Sequence, residues 1–245
     1  MTDLFYKLGR KIGESIIKGK TYYKYLLGSD KEAVGAEYLI GSRIAGKIIK
    51  DNKIQKNKQD NRLINQIGGN LTARLKNKYY RFKFTIIESS DINAFAVPGG
   101  FIFITSALFE KIKHKPDEIA FVFAHEIMHI ILKHPLKKIM SDYSAKAMGN
   151  LINKSGSMGM ILNQIVTNLF TSTYSRDKEI EADLRALHLM KSAGYELKGA
   201  QQLLLKLDNQ TGKKSEYNYF ASHPPINKRV ENVDKESSNI YKSIK

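Results

Sequence analysis

The chain has 245 residues, 42% of them hydrophobic, which fits one compact domain with or without a helical extension and argues against overall disorder. It has no cysteine, which excludes disulfides, a thiolate metal site and a cysteine nucleophile, and leaves His, Asp and Glu as metal ligands. The formal net charge is +16, yet the lysines are scattered and no nucleic-acid-binding module accompanies them, so no nucleic-acid partner is expected. A peripheral contact with an anionic membrane is the functional reading the charge allows.

Residues 1–30 read as a basic leader. Lys7, Arg10, Lys11, Glu14 and Lys18 break up any signal-peptide core, and no stretch of the chain reaches the roughly 18 uncharged apolar residues of a membrane helix. As it stands the sequence reads as cytoplasmic. Removal of an earlier signal would place it in the periplasm or cell envelope instead.

Val34, Tyr38, Ile44 and Ile48 predict a helix over 32–50, with Asp30 as its N-cap. The lysine-rich stretch 51–60 reads as a connection. Leu63, Ile64, Ile67, Leu71 and Leu75 predict a helix over 61–76, which Gly68-Gly69 weakens. The period then shortens to two. Strands are expected at 82–86, 93–97 and 101–105, the last two joined by the turn residues Pro98-Gly99-Gly100, in a small sheet that is antiparallel in part.

Everything after Thr105 reads as helix: 106–113, 117–133, 137–153, 158–172, 176–192, 199–207 and 227–234. Pro135 is expected to stop the helix over 117–133. The methionine- and leucine-rich helices between Lys137 and Phe170 suit either a lid over a cleft or ordinary core. The fold class is α+β, mostly helical, with one domain over 31–235 and a C-terminal tail over 236–245.

The chemistry is concentrated in His125-Glu126-Ile127-Met128-His129, an H-E-x-x-H stretch inside an apolar run. On a helix, positions i and i+4 share a face, so the two imidazoles converge on one point with Glu126 beside them. Such a constellation reads as ligand, general base, ligand of a zinc hydrolase. Burying three polar side chains in that run would be costly without a partner such as a metal ion.

A catalytic zinc site takes a third protein ligand and keeps one open position. Glu179 and Asp183 are four apart in the helix over 176–192, so Glu179 can ligate while Asp183 accepts a hydrogen bond from the far nitrogen of a ligand histidine. Glu181 points elsewhere, about 200° round the helix from Glu179. Arg229 is expected to orient a carboxylate or a substrate carbonyl. His114, His134 and His188 have no ligand spacing and read as surface or helix-end histidines.

With H-E-x-x-H followed by Ser175-Arg176 and Glu179-x-x-x-Asp183, the chain resembles the gluzincin metallopeptidases of the HtpX and CAAX-prenyl-protease type. Three further segments carry the resemblance: Asn93-Ala-Phe-Ala-Val-Pro-Gly-Gly100, Ala193-Gly194-Tyr195, and Ser222-His223-Pro224-Pro225 with Arg229. The helix over 32–50 is similar to the one that precedes the domain in soluble, envelope-type members. The resemblance implies a zincin-like domain holding one Zn2+ per chain and a metalloendopeptidase acting on unfolded or misassembled polypeptides.

In that setting Asn93, Ala94, Phe95 and Ala96 form a strand that can bind an extended peptide by strand addition. His223 either donates to the oxyanion of the tetrahedral intermediate or occupies the fourth metal position in a latent state. The competing reading is a non-catalytic, zinc-stabilised binding or chaperone-like module with that position closed. Oligomeric state is not readable.

Overall fold

The computed structural model describes residues 30–143, 158–171, 173–208 and 227–242. Residues 1–29 of the leader, the stretch 144–157, which includes the second half of the helix expected over 137–153, and the Ser222–Pro225 segment with His223 lie outside the described residues.

Helix α1 (Asp30–Asp51) is followed by α2 (Lys58–Thr72). Asn57 starts α2 three residues ahead of the expected helix, because its side chain accepts from the amides of Gln59 and Asp60. The glycine pair does not interrupt α2. Gly68 lies against the Phe84 ring, where a methyl group would overlap it, so glycine is what lets helix and sheet approach.

Three strands follow: β1 (Lys83–Ile87), β2 (Ala94–Val97) and β3 (Phe101–Thr105). The sheet order is β1-β3-β2, with β1 parallel to β3 and β2 antiparallel to it. Gly99 (φ 80°) and Gly100 (φ 107°) supply the left-handed backbone of the β2–β3 turn. Glu37 of α1, fully buried, holds this turn: it accepts from the Gly99 amide at 3.0 Å and from the Tyr80 hydroxyl at 2.7 Å. Burial pushes the Glu37 carboxyl above its ordinary value, against the opposing pull of Tyr80, Gly99 and Lys133.

Both faces of the sheet are covered. Phe84, Ile86, Ala94, Ala96, Ile102 and Ile104 join the larger core. Phe95, Val97, Phe101 and Phe103 join a second core with α1 and the helices beyond the active helix. Between strands and helices stand α3 (Ser106–Ile112), capped by Thr105, and then α4 (Pro116–Ile131). Every residue of α4 from Glu118 to Ile130 is buried, as befits a helix apolar on all sides.

α4 ends at Leu132, and Pro135 does more than stop it. Lys133 takes a left-handed conformation (φ 62°, ψ 26°), and α5 (His134–Asp142) begins at once, at 52° to α4, with Pro135 in its first turn. No single described helix is long and apolar enough to cross a membrane.

The remaining helices are α6 (Met158–Thr171), α7 (Arg176–Ser192), α8 (Lys198–Asp208) and α9 (Asn227–Lys242). α6 buries Leu162, Ile165 and Leu169 in the second core, and Phe170 lies 4.3 Å from Phe95 between ring centroids. α7 and α8 pack on α4, and α9 packs on α7 and α8. α9 runs past the expected end at Asp234: Ile240 is buried in the larger core and the Tyr241 hydroxyl donates to Glu196 at 2.9 Å. Residues 236–242 are thus helix packed on the domain and not a tail. The class is α+β, mostly helical and zincin-like, with a small mixed sheet.

Candidate metal centre

α4 and α7 pack side by side and present three side chains to one point. The α4 period sets His125 and His129 one above the other, with their Nε2 atoms 2.9 Å apart. Glu179 enters from the first turn of α7, its oxygens 3.5 Å from His125 Nε2 and 3.3 Å from His129 Nε2. All three are buried, and their donor atoms lie within 4.8 Å of one another. Tetrahedral bonds of about 2.0–2.2 Å place neighbouring ligand atoms roughly 3.3–3.6 Å apart; the two histidine–carboxylate distances, 3.5 and 3.3 Å, fall in that range, and the two imidazole nitrogens, at 2.9 Å, stand somewhat closer. Two imidazoles and a carboxylate also suit a borderline divalent metal.

Glu126 is buried on the same helix, next to His125. Asp183, one turn along α7 from Glu179, places Oδ1 2.8 Å from His125 Nδ1. Arg229 of α9 grips Asp183 with two prongs: Nε donates to Oδ2 at 2.7 Å and Nη2 to Oδ1 at 2.8 Å. Its third nitrogen lies 3.3 Å from Glu179. One buried guanidinium thus holds both carboxylates in place.

Burial works to raise the Asp183 carboxyl, but Arg229 and His125 outweigh it and hold it below the usual carboxylate range. Burial would lower His125, yet Asp183 and Glu179 push it up to about 9. Two buried carboxylates facing one imidazole make the centre favourable to positive charge.

Two neighbours of His129 escaped the sequence reading. His134, expected at the surface, is buried with Nδ1 3.0 Å from His129 Nδ1. Burial, with Lys178 and Lys137 nearby, pulls it down to about 4, so it is neutral. Tyr174, half-buried, stacks on the His129 ring at 4.4 Å between centroids. Burial and the carboxylates of Glu126 and Glu179 push its hydroxyl well above the ordinary phenol range. Tyr174 directly precedes the Ser175-Arg176 pair, the one local signal that could have pointed to it.

Other expected residues sit apart. Glu181 faces Arg185, not the donor triangle. His188 is exposed and pairs with Glu236 at 2.9 Å, and His114 is exposed. Asn93, Ala94, Phe95 and Ala96 are buried. Asn93 is tied to Thr105 through its backbone amide and carbonyl, both at 3.0 Å from the Thr105 hydroxyl. β2 is nonetheless a terminal strand of the sheet, lying against α4.

A model of peptidase family M48 matches residues 58–237. The chain is 26% identical over 230 residues to metalloprotease YcaL of Escherichia coli (strain K12), covering 89% of this chain and 85% of that protein. It is 28% identical over 156 residues to the mitochondrial metalloendopeptidase OMA1 of Schizosaccharomyces pombe, covering 63% of this chain and 46% of that one. It is 28% identical over 174 residues to the beta-barrel assembly-enhancing protease of Escherichia coli (strain K12), covering 66% of this chain and 34% of that protein. The chain thus spans less than half the length of the last two. A family match over most of the chain, on a fold that gathers two histidines and a glutamate able to hold a divalent metal, makes this protein a metalloendopeptidase of peptidase family M48.

Proposed function

We propose that the metal is zinc, one ion per chain, held by His125, His129 and Glu179, and that the enzyme hydrolyses unfolded or misassembled polypeptides in quality control. The observation that carries this reading is the buried His-His-Glu triangle with donor atoms within 4.8 Å. It supplies three protein ligands, the number that leaves a fourth position open for chemistry.

When bound, zinc polarises the scissile carbonyl and acidifies water. Glu126 takes the proton from the attacking water and delivers it to the leaving amine. Asp183 and Arg229 orient His125 and Glu179. The Tyr174 hydroxyl, raised above the ordinary phenol range by burial and by Glu126 and Glu179, is a hydrogen-bond donor at the rim of the centre. Because the side chains of Asn93–Ala96 are buried, a peptide substrate would meet this segment through the backbone of β2, a terminal strand among the described residues, which recognises extended chain and not sequence. Such sequence-tolerant binding suits unfolded substrates. The name of the beta-barrel assembly-enhancing relative supports the same direction. His223 serves as oxyanion donor or as an occupant of the fourth metal position.

The test is cleavage of a casein-like unfolded substrate by the full chain. Cleavage should stop with a chelator and return with zinc. Glu126→Gln should keep its metal and cut at least about 100-fold more slowly. Metal-loaded protein that cuts no polypeptide under any condition would contradict the reading. The net charge of +16 supports, in addition, a peripheral contact with anionic lipid. Sedimentation with phosphatidylserine vesicles that disappears at high salt would show that contact to be diffuse charge alone.

A further inference from the structure

The two histidines of the centre need a partner at the nitrogen facing away from the metal, and for His125 that partner is the Asp183 carboxylate. Among the described residues, the group opposite His129 Nδ1 is the imidazole of His134, Nδ1 to Nδ1 at 3.0 Å. In an unbroken helix, residues five apart point about 140° away from each other. Their meeting here depends on the chain break between α4 and α5. Lys133 adopts the left-handed conformation (φ 62°), which a lysine takes only at a cost, and the chain turns by 52° into α5. That turn swings His134 back beneath His129, where it is 3% exposed. Tyr174 packs against both rings, at 4.4 Å from His129 and 5.8 Å from His134.

We propose that His134 is a positioning residue for the metal: it accepts the Nδ1 proton of His129 and so commits Nε2 of that ring to the ion. This rests on the assignment of His129 as a ligand. The proton inventory follows from the geometry. If His129 gives Nε2 to the metal, its proton sits on Nδ1. His134 must then offer an unprotonated Nδ1 and carry its own proton on Nε2. That nitrogen faces outward, 3.9 Å from the Glu181 carboxylate, which favours a positive hydrogen there. The centre is therefore asymmetric. His125 leans on a carboxylate and is the more electron-rich ligand, while His129 leans on a neutral ring.

The experiment measures zinc affinity of the full chain by competition with a chromophoric chelator, and the visible absorption of the cobalt-substituted protein. His134→Phe keeps the bulk and removes the acceptor. His134→Asn places an amide oxygen near the original Nδ1 position. The expected result is about 10–100-fold weaker zinc binding and an altered cobalt band shape in His134→Phe, both restored in His134→Asn. Equal affinity in His134→Phe and wild type would overturn the proposal, as would equal loss in both variants, which would make the role one of shape alone. Nitrogen-15 shifts of the histidines in zinc-loaded wild type give a reading that no folding defect can blur. They should show His134 protonated on Nε2 and bare on Nδ1, and the opposite tautomer would overturn the proposal. A wild-type chain that takes up no zinc would overturn the ligand assignment as well, whereas one ion bound equally by wild type and His134→Phe would overturn this inference alone.

Discussion

His125 and His129 stand one helical turn apart and face the same point, yet opposite kinds of neighbour brace them. Behind His125 lies a buried ionic chain, Asp183 gripped by Arg229, brought in from α7 and α9. Behind His129 lie a second imidazole and a phenol ring, supplied by the turn into α5 and by the segment two residues ahead of α7. The charged brace ties the metal ligands to the C-terminal helix and so couples the site to the global fold. The neutral brace is local and depends on one strained residue. Buried ion pairs give little net stability when intact but are costly when broken, so the two sides should respond very differently to mutation.

The sharpest way to break that contrast is Arg229→Met. It takes the guanidinium away from the buried carboxylates of Asp183 and Glu179, and thermal or urea unfolding should show a loss of about 3–5 kcal/mol. A loss under about 1 kcal/mol, the range of an exposed pair, would mean that the charged brace does not hold α9 against α7. Next in size is Asp183→Asn, which keeps the shape but removes the anion behind His125. Zinc affinity should fall by about 10–100-fold in chelator competition.

A third buried carboxylate extends the comparison. Among the described residues Glu37 accepts from a hydroxyl and an amide and not from a guanidinium, and it is shifted up, not down. A folded-state value above the unfolded one means that the native state holds the proton longer. The Glu37 contribution is therefore most favourable at acid pH and declines as pH rises from about 4.5 through the folded-state value. Wild type should lose stability relative to Glu37→Gln across that window in paired urea titrations. A difference that does not change with pH would show that the carboxyl is not shifted.

The smallest effect belongs to Lys133→Gly. Relief of the left-handed lysine should offset the lost side-chain contacts and leave stability unchanged or raised by up to about 1 kcal/mol, with zinc content intact. A drop in zinc affinity would show that the lysine side chain itself helps to place His134.

What could be read from the chain followed its periodicities. The H-E-x-x-H helix, the turn at Pro98-Gly99-Gly100 and the Glu179–Asp183 face are spaced as helices and strands require, and the structure brings the first and last of these to one centre. His134 was illegible because five residues is the wrong helical phase, and only the left-handed Lys133 brings it round. Tyr174 comes from a different element and leaves no spacing to detect. Glu37 looked like one more helix acid, since nothing local shows that the β2–β3 turn docks on it. The end of α9 was missed because Ile240 and Tyr241, six and seven positions beyond Asp234, continue the packed face after a run of polar residues.

The central claim is that His125, His129 and Glu179 together hold one zinc ion. Elemental analysis of purified wild type and Glu179→Ala, each equilibrated with the same buffered zinc, tests it most directly. The account predicts one zinc per chain in wild type and a loss of stoichiometric zinc in Glu179→Ala while the fold persists by circular dichroism. Full zinc occupancy in Glu179→Ala would contradict it and move the third ligand elsewhere.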